Sequence, residues 1–382
     1  MTKRIYLDFA AATPMAPEVL GAMLPYFEQQ FYNPSATYLA AKTVKSLQNK
    51  ARADIANLIG ARPGNIIFTA GATEANNLAI RGIMDRFPDF EVLVSSIEHE
   101  SVLEPARLYA SREIPVDASG RILLNKLSNL INDKTVLVSV MLVNNEFGTI
   151  QALREISDVL EKVRQERIAS GNKTPIYLHT DAAQAGNYLD LHVSRLGVDL
   201  MSVNGGKIYG PKQSGFLYVK SAVLLKAQIV GGGQEFGLRS GTENVAGCIG
   251  LAEAFKIAQN KRIAESERII GLRQELESAI EVIGGIKING SPKHRAPHIS
   301  SLTFPESDNE RLMMELDELG VECAVGSACS ASNDEPSHAL KALGLELSDI
   351  NSTLRFSFGK NTKSDDITAV SEALAKILAS NR

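Results

Sequence analysis

From about residue 60 onwards, short β-rich segments alternate with helical ones, and this alternation limits the possible folds more than any other feature of the sequence. Strands are predicted at 66–68, 92–94, 136–140, 176–178 and 198–203, with helices near 74–84, 101–110 and 153–167. This order predicts an α/β fold with a mainly parallel sheet and helices on both faces. Ligands of such sheets bind at the carboxyl ends of the strands.

The pattern changes in the last third of the chain. Residues 215–219 predict one more strand of the sheet, with an antiparallel direction as one option, and a long helical stretch then reaches about residue 283. Short strands at 286–288, 299–304, 320–324 and 353–356 follow, with helices near 309–319 and from 365. We interpret residues 16–260 as a large domain, and residues 1–15 with 261–382 as a smaller α+β domain.

Composition excludes several classes of protein. With 382 residues, 44% of them hydrophobic and 22% charged, the chain can bury a sizeable core without disulfides or metals. The net charge of −4 gives no reason to expect nucleic-acid binding, and no apolar run suits a signal peptide or a membrane span. Three cysteines are too few for a disulfide framework or a zinc site, which predicts a cytoplasmic protein whose important cysteine is a reactive thiol.

Two candidate site segments follow predicted strands. In Thr69–Glu74, Ala72 and other small residues leave backbone N–H groups open at a helix start, where Thr73 adds a hydroxyl. Such a turn holds a phosphate or is simply a helix cap. Asp181 follows a predicted strand, and a carboxylate there could stay ionised opposite the pyridinium nitrogen of a bound aromatic ring. Gln184, one helical turn further on, could reach a phenolic oxygen of the same ring. The alternative for Asp181 is the N-cap of the next helix.

A lysine and a cysteine are the strongest candidates for covalent chemistry. Lys207 follows paired glycines at the end of an apolar strand, where a solvated charge is unusual, and a lysine amine there can form a Schiff base. The alternative is that Lys207 is only a surface lysine in a turn, a description that fits Lys212 better. Cys329 lies among glycine, serine and alanine, so packing explains it poorly, whereas Cys323 and Cys248 have the apolar surroundings of core residues.

Taken together, these segments resemble the cysteine desulfurases of the aminotransferase class V group. The matching pieces run the length of the chain in the family's order: Tyr6–Pro14, Asn33–Ser35, Gly71–Glu74, Glu98–His99, Val143–Glu146, Asp181 with Gln184, Gly205–Pro211, Arg239–Thr242, Gly326–Cys329 and Arg355–Ser357. The short Gly-Ser-Ala-Cys segment is similar to the branch that serves iron–sulfur cluster assembly and thiolation pathways.

The resemblance implies an aspartate-aminotransferase-like fold, a homodimer, and pyridoxal 5′-phosphate bound to Lys207. It implies that His99 stacks on the cofactor ring and acts as a catalytic acid or base, and that Asp181 and Gln184 bind the ring's polar atoms. The alternative for His99 is a residue that only ends a helix. Phosphate contacts would come from Ala72, Thr73 and Asn204, with Thr242 reaching the partner's cofactor. Asn145, Arg355 and Asn33 would bind the L-cysteine substrate. Cys329 would receive its sulfur and pass it to an acceptor protein, leaving L-alanine.

The sequence departs from the family at positions that bear on the phosphate. Asn204 and Gly206 stand where the family usually has serine and histidine, both of which commonly help to bind phosphate. This departure raises the alternative of a degenerate chain that acts only as a scaffold for sulfur-transfer partners. A selenocysteine lyase and a β-eliminating lyase, enzymes of the same fold, are the nearest rival functions.

Overall fold

A computed structural model describes residues 4–326 and 335–380 of the chain. Its helices are α1 (Pro17–Met23), α2 (Pro25–Glu28), α3 (Leu39–Leu58), α4 (Ala72–Met84), α5 (Glu100–Arg107), α6 (Leu124–Leu130), α7 (Leu153–Ala169), α8 (Val193–Leu196), α9 (Val245–Glu281), α10 (Asn309–Glu318), α11 (His338–Ala342), α12 (Leu347–Ile350) and α13 (Ser364–Ser380). Its strands are β1 (Ile5–Tyr6), β2 (Ile66–Thr69), β3 (Glu91–Ser95), β4 (Ala110–Ile114), β5 (Thr135–Ser139), β6 (Tyr177–Asp181), β7 (Leu200–Asn204), β8 (Gly215–Val219), β9 (Lys287–Ile288), β10 (Ile299–Thr303), β11 (Val321–Glu322) and β12 (Thr353–Ser357).

A seven-stranded sheet forms the centre of the larger part of the molecule. Its strand order is β2-β8-β7-β6-β5-β3-β4, and β8 alone runs antiparallel to its two neighbours. Strands β2, β5 and β8 are buried along their whole length, as expected for apolar runs covered on both faces by helices. The predicted mainly parallel α/β sheet is therefore confirmed, and β8 takes the antiparallel direction.

One predicted helix is too long. The sequence pattern extends the helix that starts near residue 101 to residue 110, but α5 ends at Arg107 and the edge strand β4 begins at Ala110. The sequence Ala-Ser-Arg-Glu-Ile of β4 is mostly polar, and an edge strand needs little burial, so its pattern does not distinguish it from the end of a helix.

The second part of the molecule has its own core. A three-stranded sheet, β12-β10-β9, and the parallel pair β1-β11 pack with α10, α13 and the later turns of α9. Helix α9 spans both parts: Phe255 and Ala258 belong to the core of the large sheet, whereas Ile269 and Leu272 belong to the second core. This change of packing partner supports a boundary near residue 260, which stays a prediction. Across residues 4–326 and 335–380, every helix is too short or too polar to cross a membrane.

Candidate active site

The loops that follow the parallel strands meet in one cleft. Because β2, β3, β5, β6 and β7 all run in the same direction, their carboxyl ends lie at the same edge of the sheet. The cleft is lined by Ala10, Ala11, Ala72, Thr73, His99, Ser101, Met141, Val143, Asn145, Asp181, Ala183, Gln184, Asn204, Lys207 and Arg355. Nine of the predicted site residues are therefore brought together from distant parts of the sequence: Ala72, Thr73, His99, Asn145, Asp181, Gln184, Asn204, Lys207 and Arg355.

Lys207 ends a short 3-10 turn, Gly205–Lys207, directly after β7. Its ammonium donates hydrogen bonds to the carbonyl oxygens of Ala10, at 2.8 Å, and of Ala11. The Thr13 hydroxyl stabilises this turn, because it donates to the carbonyl of Gly206 at 3.0 Å. Lys212, by contrast, lines a different groove and donates to the carbonyl of Thr13. Lys207 is therefore placed as a primary amine facing the cleft.

Asp181 is the last residue of β6, with only 6% of its surface exposed. One carboxylate oxygen accepts from the backbone N–H of Ala183 at 2.8 Å, and the other accepts from Nδ2 of Asn76 at 2.7 Å. The predicted helix after Asp181 is wrong: the chain forms turns there and α8 begins only at Val193. The carboxylate therefore stabilises a turn and lines the cleft at the same time.

Gln184 reaches the cleft from that same turn rather than from a helix. Its Nε2 donates to the carbonyl of Ala10 at 2.9 Å, and its Oε1 lies 3.2 Å from Nε2 of His298. His298 precedes β10 in the second part of the molecule, so the side-chain amide is in contact with both parts of the molecule.

His99 is the N-cap of α5, and it also lines the cleft. Its Nδ1 accepts a hydrogen bond from the backbone N–H of Ser101 at 3.0 Å, so in the neutral ring the proton is on Nε2. The two interpretations of this residue, helix end and site residue, are thus compatible.

The preceding Glu98 is only 1% exposed and accepts from the backbone N–H of Met141 at 2.5 Å. Burial raises the pKa of the Glu98 carboxyl well above its usual range.

The start of α4 forms a corner suited to an anion. Gly71, with φ +119°, precedes the helix, and Ala72 and Thr73 are its first residues, whose N–H groups have no partner within the helix. Gly71 passes so close to β8 that a Cβ at Gly215 would lie 2.7 Å from its Cα. Asn204 faces this corner too, but its side-chain oxygen accepts from the N–H of Gly206 at 3.0 Å and so caps the Lys207 turn.

Arg355, on β12, also lines the cleft and is only 3% exposed. Its guanidinium donates to the carbonyl of Asn145 at 2.9 Å and to Asp8 at 2.6 Å. Its Nε is buried and has no hydrogen-bond partner among the described residues. A buried cation that keeps spare N–H groups beside a cleft is suited to binding a carboxylate.

Two predicted site residues lie outside this cleft. Asn33 and Thr242 are both exposed, and neither lines the cleft. They belong to one surface, however, because the Ser35 hydroxyl lies 3.5 Å from the carboxylate of Glu243, the neighbour of Thr242. Cys329 is in residues 327–334, outside the described part of the chain.

The other two cysteines lie in apolar surroundings. Cys248 belongs to the core of the large sheet, and Cys323 packs against the core of the second part. Burial raises the pKa of each thiol to about 12. Both therefore stay protonated near neutral pH and are poor nucleophiles, as the sequence predicted for core residues.

Sequence reasoning missed several residues that shape the cleft. Ala10 and Ala11 act through their carbonyls, which no side-chain pattern reveals. Asn76 is fully buried inside α4, and it donates to Asp181 and, at 2.9 Å, to Ser101. The one available signal for Asn76 was an amide on an otherwise apolar helix face. For His298, no signal in the sequence linked it to this site.

Comparisons with known proteins agree with this arrangement. A family model, aminotransferase class-V, matches residues 5–370. The cysteine desulfurase IscS of Clostridium botulinum is 37% identical over 393 aligned residues, which cover 100% of this chain and 96% of that relative. Among solved structures, a NifS-like protein from Rickettsia africae superposes with a TM-score of 0.88 at 27% identity, covering 98% of this chain and 99% of the other.

A further solved structure, SspA in complex with cysteine, has a TM-score of 0.80 at 33% identity, covering 92% of this chain and 98% of the other. Similarity of this extent along the whole chain identifies the family. The chain belongs to the aminotransferase class-V family and, within it, to the cysteine desulfurases.

Proposed function

We propose that this protein is a pyridoxal-phosphate-dependent cysteine desulfurase, which removes the sulfur of L-cysteine and holds it as a persulfide on Cys329. The observation that carries the proposal is the convergence of Lys207, Asp181 and Arg355 in one cleft. An amine, a buried carboxylate and a buried guanidinium are the groups that a bound pyridine aldehyde and an amino-acid carboxylate require. The names of the relatives, among them a structure with bound cysteine, point the same way.

The residues present fit pyridoxal phosphate. The start of α4, with Ala72 and Thr73, would hold the phosphate through backbone N–H groups and the helix dipole. Asp181, fixed by Asn76 and the N–H of Ala183, would pair with the pyridine nitrogen. When bound, the cofactor supplies an electron-withdrawing ring that stabilises negative charge at the substrate Cα.

The remaining residues of the cleft would complete the contacts with the ring. Gln184 would donate to the phenolic oxygen, since its Nε2 carries two N–H groups and Ala10 accepts only one. His99 would stack on the ring, and because its Nδ1 accepts the N–H of Ser101, the proton that the neutral ring carries is on Nε2. Lys207, once its amine is free, would take the Cα proton at Nζ.

Arg355 and Asn145 would bind the substrate carboxylate. Since the guanidinium donates to Asp8 and to the carbonyl of Asn145, it is held in one orientation while further N–H groups remain for a ligand. A carboxylate fixed there would hold the rest of the amino acid within the cleft that Lys207 also lines.

Cys329 would act as the sulfur acceptor within the protein. The described chain stops at Gly326 and resumes at residue 335, and both ends meet Glu146: a Cβ at Gly326 would lie 3.6 Å from its Oε2, to which the Ser337 hydroxyl donates at 2.5 Å. Glu146 adjoins Asn145 of the cleft, and three residues of chain span up to about 10 Å. The described residues on both sides of the segment that contains Cys329 therefore lie next to a residue of the cleft.

In the sulfur-transfer step, the Cys329 thiolate forms a bond to the sulfur of bound cysteine while that sulfur's bond to Cβ breaks. The electron pair stays on Cβ, which takes up a proton, so the products are L-alanine and the persulfide. An acceptor protein would then take the sulfur for iron–sulfur cluster assembly or for thiolation. A cytoplasmic location remains part of the proposal.

The proposal includes a homodimer. Asn33 and Thr242 share one exposed surface, which lies outside the cleft of their own protomer. Large apolar side chains near them in sequence are strongly exposed, including Phe31 at 65%, Phe236 at 62% and Leu39 at 81%. Apolar surface of this kind favours association. In the dimer, the partner subunit's Thr242 would reach the phosphate, and the partner subunit's Asn33 would lie near the substrate.

Mass spectrometry after incubation with L-cysteine tests the proposal. Without a reductant we expect one added sulfur atom on Cys329, and with a thiol reductant, which releases that sulfur as sulfide, we expect one alanine formed per sulfide. The Cys329→Ala and Lys207→Ala variants should form no persulfide, whereas Cys323→Ser, a matched change at a buried thiol, should keep the activity. Sulfide release that continues in Cys329→Ala would instead indicate an elimination lyase. If the protein gains no visible cofactor absorption after addition of pyridoxal phosphate, the scaffold alternative is favoured.

A further inference from the structure

The side-chain amide of Gln184 is held at both of its ends. A carbonyl oxygen can only accept a hydrogen bond, so the Gln184 atom that lies 2.9 Å from the Ala10 carbonyl is Nε2. The oxygen Oε1 is therefore the atom that faces Nε2 of His298 at 3.2 Å. Since an amide oxygen cannot donate, the proton of this contact comes from His298, and the neutral ring carries it on Nε2.

His298 is itself fixed in position. It is 3% exposed, and its ring stacks on Tyr188 with centroids 4.3 Å apart and an interplanar angle of 18°. Its carbonyl accepts from the N–H of Phe358 at 2.9 Å, and the Tyr188 hydroxyl donates to the carbonyl of Phe358 at 3.3 Å. These contacts fix the ring from the side of the second core.

The protonation state of the ring follows from its surroundings. Burial, with smaller contributions from the charges of Arg355 and Arg273, lowers the pKa of His298 to about 3. The ring is therefore neutral near pH 7 and has a single N–H. Its Nδ1 is buried without a hydrogen-bond partner among the described residues. The single N–H is thus directed at Gln184.

We propose that His298 is a positioning residue, which orients Gln184 so that an N–H group, and not the amide oxygen, faces the phenolic oxygen of the cofactor. The inference rests on the proposed function. Ala10 constrains only the Nε2 end of the amide, and His298 constrains the Oε1 end. Without His298, rotation of the amide by half a turn would place Oε1 against a negatively charged oxygen.

The expected effect is on the cofactor itself. An N–H donor stabilises the ionised phenolic oxygen and so lowers the pH at which the visible absorption of the bound cofactor changes. Loss of one net hydrogen bond should raise that midpoint by about 0.5 to 1 pH unit.

The test is a spectroscopic pH titration of protein reconstituted with pyridoxal phosphate. His298→Leu and His298→Phe both remove the donor, and His298→Phe keeps an aromatic ring stacked on Tyr188. If only one of the two variants folds, that variant is enough for the test. His298→Gln restores an N–H at a similar reach. The same His298 changes are also made in a Gln184→Leu background, and unfolding by heat shows whether each variant is native.

We expect both donor-free variants to raise the midpoint and His298→Gln to restore it. In the Gln184→Leu background, a His298 change should cause no further shift. If the wild type shows normal cofactor absorption and the midpoint does not move in His298→Leu or His298→Phe, this inference is overturned and the proposed function stays intact. An equal shift in the Gln184→Leu background would also overturn it, because His298 would then act through general structure. Absence of cofactor absorption in the wild type would overturn both proposals.

Discussion

Replacement of Arg355 by lysine should separate binding of the substrate carboxylate from the rest of catalysis. A guanidinium has five N–H groups. Two of them are used on Asp8 and the carbonyl of Asn145, and the buried Nε has no partner among the described residues. The spare groups suffice for a two-point contact with a carboxylate, whereas a lysine ammonium keeps the charge but not the planar two-point geometry.

The magnitude follows from the loss of one charge-assisted hydrogen bond. Such a bond contributes about 1.5 to 3 kcal/mol, so the apparent affinity for L-cysteine should fall about 10- to 150-fold in Arg355→Lys. The affinity for cysteamine, which has the amine and the thiol but no carboxylate, should change by less than about threefold. The assay compares the two affinities in wild type and variant through the change in cofactor absorption.

Arg154→Lys is the matched control, because Arg154 is 64% exposed and pairs with Asp158 on the same helix at 3.1 Å. It should leave both affinities unchanged. If Arg355→Lys weakens cysteine and cysteamine by the same factor, the side chain supports the cleft in general and does not bind the carboxylate, and the reasoning fails.

Three further predictions follow from the cleft. Gly206→His should tighten binding of pyridoxal phosphate about tenfold by adding a donor for the phosphate, since the nearest atom to a Cβ there is in the flexible Lys212 side chain, at 3.3 Å, and Oδ1 of Asn204 follows at 3.5 Å. An equilibrium titration that finds equal or weaker binding would contradict this. Glu98→Gln should stabilise the protein increasingly as the pH rises, because the raised pKa lets the native carboxyl keep a proton that the unfolded one loses, which costs up to about 1.4 kcal/mol per pH unit above the ordinary pKa. Urea unfolding between about pH 5 and pH 8 would disprove this if the difference in unfolding free energy between variant and wild type stays constant. Asn76→Leu should lower the free energy of unfolding by about 1.5 to 3 kcal/mol, because Asp181 loses a buried donor, and a loss below about 0.5 kcal/mol would refute this.

The large sheet could be predicted because its strands are apolar on both faces. Thr135–Ser139 and Gly215–Val219 are buried throughout, so their composition alone distinguishes them from surface segments. The polar edge strand Ala110–Ile114 gave no such signal, and the pattern extended the preceding helix over its start. Helix α3 was also not predicted, since the helical reading of the sequence began only after it.

The site could be predicted as far as its side chains carry unusual chemistry. Lys207 and Asp181 are charged groups at the ends of apolar strands, and the structure brings both to the cleft. The groups that orient them are ordinary: two alanine carbonyls, a helix asparagine and a histidine from the other core. Their roles depend on long-range contacts, which local sequence patterns do not contain.

The segment that leads from β1 into α1 has a practical consequence. Asp8 holds Arg355, the carbonyls of Ala10 and Ala11 hold the Lys207 ammonium, and Thr13 supports the Lys207 turn. Trimming the chain from its start, even by a dozen residues, would therefore remove one wall of the catalytic chamber. A purification tag or fusion partner is better attached at the other end, because no described residue of α13 lines the cleft.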